Sequence, residues 1–390
     1  MDALVSPKIL AWARESASLS IAEAARKSGI SAGRLEIAEF GAGHVSTTQL
    51  EKLANVYKRP LAAFYLAEPP ASPPVLPDFR RLPGGSRREI SPNLTLELRR
   101  ARQRREETLK LANELEEELP VFTASFSIDN SVVQVASVLR RMLDTSLETQ
   151  RSWRSSEKAL KAWKLAVERS GVLVFEMSRV PVTEVRGVAI HFDRLPVIVL
   201  NGADKAAART FSLFHELAHI ALGVSAIDDS SDANSGLNAH ERQIETFCNA
   251  VAAEVLVPAD ALIALIAVET DVGIADTLVA AAKAFSVSRL VIARRLLTLD
   301  RIDGKQYSAL QEQFHDEYEA YLAEKKKKKA TGGPDPTKIQ ARNLSRTLSR
   351  LALNAYEQDH LSLNGVSEIL GVRARAVADF REIVRREVVA

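Results

Sequence analysis

The sequence predicts a mainly α-helical, multidomain protein that contains one small α+β domain. At 390 residues the chain is too long for one compact core. Apolar residues recur mostly at helical spacing. Only three short runs are rich in β-branched residues, at Gly171–Met177, Val185–Phe192 and Pro196–Asn201. We therefore expect several helical segments around one small sheet.

The composition is that of an ordinary globular protein, with 46% hydrophobic and 26% charged residues. No apolar run approaches the roughly 20 residues that span a bilayer, and the N-terminus lacks the pattern of a secretory signal. The single cysteine, Cys248, excludes an internal disulfide framework. We expect a cytoplasmic protein without a membrane partner. A formal charge of +2 means that any nucleic-acid binding must come from a local patch.

The N-terminal segment, residues 1–68, predicts five short helices. Ser20 and Ser31 are good N-caps on either side of the turn at Ser28–Ile30, so the second and third helices have helix-turn-helix form. The segment resembles the phage-repressor-like helix-turn-helix domains. The five predicted helices are Pro7–Ala17, Ser20–Lys27, Ser31–Phe40, Thr47–Tyr57 and Pro60–Leu66.

DNA binding by this segment would use the start of the presumed recognition helix. The candidate contact residues are Ser31, Gly33 and Arg34. Arg34 is the one base-reading cation there, beside Glu36 and Glu39, and residues 1–68 hold eight Lys/Arg against seven Asp/Glu. We therefore expect weak attraction to phosphates, and the domain could instead dock or imitate a repressor.

The strongest chemical signal is the segment FSLFHELAHIALG, in which His215, Glu216 and His219 form an HExxH motif. On the helix predicted for Asp204–Leu222, two histidines four residues apart point to the same side and can hold one Zn²⁺ ion. Glu216 would lie beside a water on that metal and act as the general base. The sequence thus predicts a zinc hydrolase site.

A third ligand is expected from the next predicted helix, Asn238–Leu256. Glu245 shares a face with small residues that would let this helix approach the first, so we favour Glu245. Glu241 is the runner-up, followed by His240 and the acidic loop at 228–232. Cys248 could bind a metal, but core packing is the favoured interpretation.

The sequence here resembles the ImmA/IrrE family of metallopeptidases. The similarity covers about residues 160–300 and depends on RTFSLFHELAHIALG, on IETFCNAVAAEVLVP and on the upstream VRGVAIHFDRLPVIVLN. The resemblance implies a zincin-like, more narrowly gluzincin-like, α+β domain. His215, His219 and Glu245 would be ligands, Glu216 the base, and Asn249 a supporting residue.

The resemblance also implies a function, because similar proteins cleave helix-turn-helix repressors. The DFR at 78–80 matches family members that carry a repressor-like domain in front. Val251 departs from the aromatic residue common at its position, which we expect to affect packing more than chemistry.

We divide the chain at changes of composition. After the N-terminal domain come a proline-rich linker with a charged helix and then the peptidase domain, followed by helix-turn-helix-like and helical segments around a lysine-rich linker. These segments are 69–119, 120–265, 266–324, 325–336 and 337–390.

Two further features of the mechanism stay open. The strands at Gly187–Phe192 or Pro196–Asn201 could align a substrate backbone as an added strand. The oxyanion donor is unassigned, with His191, His240 and Arg209 as candidates.

The function predicted is that of a zinc endopeptidase that cleaves a helix-turn-helix repressor or a related regulatory protein. The alternative is a DNA-binding transcriptional regulator, or an antitoxin-like protein, whose metallopeptidase-like domain senses or binds without cleaving. The partners to test are this protein substrate, DNA through residues 1–68, and a second copy of the chain in a homodimer.

Overall fold

The computed structural model describes residues 2–17, 19–70, 90–228, 239–268, 273–327 and 335–389. The chain forms two compact units, one with the described residues up to Arg102 and one with those from Gln103 onward. Helices dominate, and a small sheet lies in the second unit, as predicted. The DFR at 78–80 and most of the proline-rich linker lie outside the described residues.

The first unit is built from short helices whose ends follow local capping signals. Ser20 and Ser46 each begin a helix through a capping box, in which a Glu or Gln three residues on returns the hydrogen bond. The predicted fifth helix is a 3-10 helix, Leu61–Tyr65, between extended residues. The α-helices of this unit are α1 Pro7–Ser16, α2 Ile21–Ser28, α3 Ala32–Glu39 and α4 Thr47–Tyr57. Helix α5, Pro92–Glu114, begins before the division of the chain at Arg102 and ends after it.

A bidentate ion pair joins α1 to α3. Arg14 donates from Nε and Nη2 to the two carboxylate oxygens of Glu39, at 2.8 and 2.7 Å. Both side chains are largely buried, so this paired geometry is stronger than that of a surface salt bridge. Glu39, which lies near the candidate DNA-contact residues in the sequence, is therefore paired within its own unit.

The sheet of the second unit has four strands in the order β1-β3-β2-β4. β1 runs parallel to β3, and β2 is antiparallel to both of its neighbours. Three strands lie where the sequence predicts them. The fourth was missed because its three residues are too few to show a pattern. The strands are β1 Leu173–Met177, β2 Gly187–Ile190, β3 Val197–Asn201 and β4 Ala226–Asp228.

Thirteen further α-helices follow in the described part of the second unit. Two of them, α12 and α13, flank a left-handed Ser286 and have the predicted helix-turn-helix spacing. A second 3-10 helix lies at Ala374–Ala376. The α-helices are α6 Val132–Met142, α7 Leu147–Ser152, α8 Ser156–Arg169, α9 Ala206–Ala221, α10 Ala239–Leu256, α11 Ala259–Val268, α12 Ile274–Phe285, α13 Arg289–Thr298, α14 Gly304–Lys327, α15 Pro336–Asn343, α16 Arg346–Glu357, α17 Leu363–Leu370 and α18 Val377–Val389.

Helix α9 is the central element of the core. It packs against α8 and α10 and against β2 and β3, and nearly all of its side chains are buried. The ring of Phe214 meets that of Trp163 edge-on at 4.8 Å. An extended segment closes the far end of α9, where the Phe126 N–H donates to the Ala221 carbonyl at 2.9 Å.

Three side chains fix the C-terminal end of α10. Arg140 donates to the Val255 carbonyl at 2.6 Å, Gln150 to the Leu256 carbonyl at 2.8 Å, and Arg295 to the Val257 carbonyl at 3.0 Å. These carbonyls have no partner within a helix that ends here, so the side chains supply the missing hydrogen bonds. Helix α10 is therefore held in place from three other elements.

The C-terminal helices dock on the core through a buried carboxylate, Glu168 at the end of α8. It accepts hydrogen bonds from the Arg346 and Thr347 N–H groups at 3.1 and 2.8 Å, and from the Ser345 hydroxyl at 2.9 Å. A carboxylate at the N-terminus of α16 also interacts favourably with the helix dipole. Burial nevertheless raises the pKa of Glu168, and these hydrogen bonds oppose that rise.

A second buried carboxylate, Glu176 on β1, gathers three cations. Lys164 lies 3.0 Å from one oxygen, and Arg209 and Arg342 lie 2.5 and 3.1 Å from the other. Burial raises the pKa of Glu176, but the three cations outweigh burial and hold that pKa below its ordinary value. Since Arg342 belongs to α15, this cluster also joins the C-terminal helices to the sheet.

Two sequence predictions concern segments outside this core. Helix α14 runs through Lys327, so it extends into the predicted linker at 325–336, and residues 328–334 lie outside the described part. In the described residues no single helix is long and apolar enough to cross a bilayer. Only the bent pair Ala239–Leu256 and Ala259–Ala267 reaches that length and composition.

We predict that Glu168→Ala lowers the free energy of unfolding by about 3 kcal/mol, because it leaves buried donors at the start of α16 without an acceptor. Urea denaturation measures this change. The matched control is Glu357→Ala, which removes a partly exposed pair with Arg385 and should cost at most about 0.5 kcal/mol. Equal losses in the two variants would contradict the assignment.

We predict that the stability contributed by Glu176 depends on pH. Because its folded-state pKa is depressed, this contribution is present above the ordinary pKa and is lost as pH falls through the folded pKa. Glu176→Gln should therefore be less stable than wild type by about 3 kcal/mol at neutral pH. Denaturation between pH 7 and about pH 3 should show this difference shrinking. A constant difference would contradict the prediction.

Candidate metal centre

The HExxH motif lies in the C-terminal half of α9, where the helix is buried. His215 and His219 are one turn apart, and their Nε2 atoms approach to 3.0 Å. Both imidazoles are almost fully buried, with 2% and 1% of their surface exposed. Two polar rings converge here inside an otherwise apolar core, an arrangement that is costly unless a shared partner compensates it.

Glu245 on α10 supplies that shared partner. Its two oxygens lie 3.2 Å from His215 Nε2 and 3.3 Å from His219 Nε2. One ligand atom from each of the three residues falls within 4.8 Å of the others. In the described part of the chain, these three residues form the one group of His, Cys, Asp or Glu with this spacing.

The site favours the protonation states in which these groups bind metals. Burial raises the pKa of Glu245, but its contacts with the two imidazoles outweigh burial and hold its pKa well below the usual range. Burial lowers the pKa of His219 more than Glu245 raises it. At neutral pH the carboxylate is charged and the His219 imidazole is neutral, as metal ligation requires.

Asn249, one turn beyond Glu245 on α10, contacts the first histidine from behind. Its Oδ1 lies 3.1 Å from His215 Nδ1. An amide oxygen can only accept, so the proton sits on Nδ1 and the lone pair of Nε2 points into the cluster. The support that the family resemblance implies for Asn249 has a physical basis in this contact.

Glu216 is fully buried and stands apart from the three clustered residues. It lies against Gly187, the first residue of β2: a Cβ built on Gly187 would come within 2.6 Å of Glu216 Oε1. From the sequence, Gly187 is only the first residue of a predicted strand. The available signal was a glycine at the start of a strand, where it often marks a close approach.

Cys248 is buried beside these carboxylates. Burial raises the pKa of its thiol, and the charges of Glu245 and Glu216 raise it further. The thiol therefore stays protonated at neutral pH, which agrees with its interpretation as a core residue.

The other ligand candidates lie elsewhere. Glu241 and the exposed His240, in the first turn of α10, are not in the cluster of described residues. Asp228 belongs to β4 and pairs with Gly187, and the rest of the acidic loop, 229–232, lies outside the described residues. The structure thus brings Glu245, and not Glu241, to the histidines.

The oxyanion candidates are also accounted for in part. Arg209 is buried in an ion pair with Glu176, so its guanidinium is occupied. The backbone N–H of His191 donates to the Ser225 hydroxyl at 2.9 Å, and its ring lies 4.0 Å from Asp193. Neither contact is with the His215–His219–Glu245 cluster.

The expectation that β2 or β3 receives an added strand needs correction. β3 lies between β1 and β2, and β2 pairs with β4 through Gly187–Ala189. Both strands therefore have their backbone groups bonded on two sides. Within the described residues, β4 is the edge strand on the side of Gly187 and Glu216.

The predicted DNA-binding residues lie at the start of α3. Ser31 is its N-cap residue, and the side chains of Ser31 and Arg34, like Gly33, are exposed. Arg34 Nη2 makes a long contact of 3.5 Å with the His44 carbonyl. The three residues are therefore accessible to a partner. DNA binding by them stays a prediction.

The segment that contains the His215–His219–Glu245 cluster is similar to a known protein family. Residues 167–297 match the family model Peptidase_M78, described as the IrrE N-terminal-like domain. The match runs from α8 into α13 and does not extend to the N-terminal helices. No curated protein matches the chain. The match supports the resemblance to the ImmA/IrrE family, and this segment is thus similar to a metallopeptidase domain.

Proposed function

We propose that this chain is a zinc-dependent endopeptidase that cleaves a helix-turn-helix repressor or a related regulatory protein. The observation that carries the proposal is the buried triangle of His215, His219 and Glu245 within the segment that matches the peptidase family. Two neutral imidazoles and one carboxylate are the donor set of many catalytic zinc sites.

The distances within the triangle fit such an ion. Ligand bonds to zinc are about 2.0–2.1 Å, so atoms at two corners of a tetrahedron around zinc are about 3.3 Å apart. The two Nε2 atoms are 3.0 Å apart, and each lies 3.2 or 3.3 Å from a different oxygen of Glu245. One ligand atom from each of the three residues lies within 4.8 Å of the other two. The side chains therefore lie close enough together to hold one ion.

The chemistry divides between the ion and the chain. A bound zinc would polarise the scissile carbonyl and lower the pKa of a bound water toward about 7. Glu216 takes the proton of the attacking water and delivers it to the nitrogen of the leaving amine. Asn249 holds His215 in the tautomer that presents Nε2 to the site. His215, His219 and Glu245 keep the ion beside Glu216.

The edge strand β4 suggests how a polypeptide substrate is aligned. Its one described neighbour is β2, so its outer backbone groups can pair with an extended chain. In the register of the sheet, Asp228 lies opposite Gly187, and Gly187 lies against Glu216. A strand added to β4 would therefore lie about 10 Å from Gly187, two strand spacings away in the sheet.

The N-terminal unit supports protein docking over strong DNA binding. On α3, Ile37 is 51% exposed, and Phe40, at the C-terminal end of that helix, is 86% exposed, while Arg34 is the one cation among the exposed residues of the helix. An apolar helix surface with few cations suits a protein partner better than phosphates. The alternative function is a DNA-binding regulator whose peptidase-like domain senses or binds. It would need more cations and fewer exposed apolar side chains on this helix.

We predict that the purified protein retains about one zinc per chain. His215→Ala or Glu245→Ala should lose the metal, because each removes one of three ligands. Glu241→Ala, on the same helix, is the matched control and should keep it. Metal content by inductively coupled plasma mass spectrometry measures all four proteins. Stoichiometric zinc in a His215→Ala, His219→Ala double variant would contradict the site.

We predict that Glu216→Gln retains zinc and lowers cleavage by about 10²–10⁴-fold, because the amide keeps the shape of the side chain but cannot accept the proton. Wild type or variant is co-expressed with each helix-turn-helix repressor encoded nearby, and fragments are identified by mass spectrometry. Fragments that form equally with both proteins would indicate a contaminating protease. Zinc-loaded wild type that cleaves none of them would favour the regulator.

A further inference from the structure

Gly187 occupies a place in which no other residue fits beside Glu216. A Cβ added at Gly187 would lie 2.6 Å from Oε1 of Glu216, 2.9 Å from its Cγ and 3.1 Å from its Cδ. Real Cβ atoms essentially never approach a heavy atom within 3.0 Å. All three of the nearest atoms belong to Glu216. The Glu216 side chain therefore fills the space that a side chain at residue 187 would need.

The backbone conformation of Gly187 does not require glycine. Its φ lies outside the left-handed region, and it pairs as an ordinary strand residue with Leu200 on one side and Asp228 on the other. The reason for a glycine at this position is therefore the close approach of strand and helix, not the conformation of the chain.

The strand cannot easily move away from α9. Asn201, fully buried on β3, donates from Nδ2 to the carbonyls of Val185 and Val180 at 2.8 and 3.1 Å. Its backbone N–H donates to the Arg186 carbonyl at 2.8 Å. These bonds fix the residues directly before Gly187, and the pairing of β2 on both sides fixes those after it.

The helix is equally constrained. Phe214 and Leu217, the residues near Glu216 on α9, are fully buried in the core. Neither backbone can yield without breaking hydrogen bonds or core packing. If a side chain were added at residue 187, the Glu216 side chain would be the part that must rotate.

We infer that Gly187 is a positioning residue for Glu216: the absence of its side chain forms the recess that holds the Glu216 carboxylate in place, on the helix that also carries His215 and His219. The catalytic part of this inference rests on the proposed function, in which Glu216 carries the proton. Gly187 itself touches neither the metal ligands nor, in this role, the substrate.

The first test is a stability cycle that needs no activity. Gly187→Ala should lower the melting temperature by about 5 °C, because it overpacks a fixed contact. In a Glu216→Ala background, which removes all three crowded atoms, the same substitution should cost almost nothing. The four proteins are wild type, the two single variants and the double variant.

A matched control separates this contact from a general effect of added methyl groups. At Gly202 a built Cβ would lie 3.0 Å from the Met177 carbonyl and 3.1 Å from Arg342, and Glu216 is not among its nearest atoms. Glu216→Ala should therefore not restore the stability of Gly202→Ala. Equal rescue of both glycine variants, or rescue of neither, would overturn the inference. If Gly187→Ala fails to fold, recovery of folded double variant is the readout.

The second test concerns catalysis. Gly187→Ala should retain zinc and KM but lose about 10²-fold in kcat, the size of effect expected when a reacting group is displaced by about 1 Å. Adding Gly187→Ala to Glu216→Gln should cause little further loss, because both changes act through the same carboxylate. Unchanged kcat in Gly187→Ala, or losses that multiply in the double variant, would overturn the inference. If zinc-loaded wild type cleaves nothing, the proposed function fails, and the stability cycle still decides whether Gly187 sets the place of Glu216.

Discussion

The burial of α9 on every side is the constraint on which the rest of the second unit depends. A helix in this position should be apolar, yet its last two turns carry two imidazoles and a carboxylate that are almost fully buried. Each of these groups would destabilise the core if it had no compensating contact. The fold provides contacts for the imidazoles from α10, through Glu245 and Asn249, and a recess for the carboxylate at the start of β2. The apolar surroundings also explain why the pKa of His219 is lowered by burial.

Sequence reasoning reached the parts of this arrangement that depend on local pattern. Helical spacing indicated α9 and α10, and the four-residue spacing placed the histidines on one face. The small residues around Glu245 favoured it over Glu241, and Glu245 is the carboxylate that lies near the histidines among the described residues. The alternation of β-branched residues found three strands but not β4, whose three residues carry no period. The edge of the sheet, and with it the surface open to a further strand, was therefore assigned to the wrong strands.

Contacts between distant residues were beyond what the sequence could supply. Glu168 and Ser345 are separated by 177 positions, and nothing near either residue indicates the other. Arg209 looked like a cation near the motif, but its partner Glu176 comes from β1 and draws it away from that role. The role of Gly187 also depends on a distant element, because the helix that it contacts begins nineteen residues later, at Ala206. In each case a buried polar or missing side chain is explained only by its partner across the core.

The burial of Cys248 has a practical consequence. It is the only cysteine in the chain, and it lies on α10 directly against the site with no exposed surface. A thiol reagent can reach it only when the packing around α10 opens, so its rate of labelling under native conditions reports how often that opening occurs. Any ion held between α9 and α10 stabilises the closed form by mass action and slows labelling in proportion to its occupancy. The labelling rate of Cys248 can therefore be used to measure the occupancy of a metal at this site.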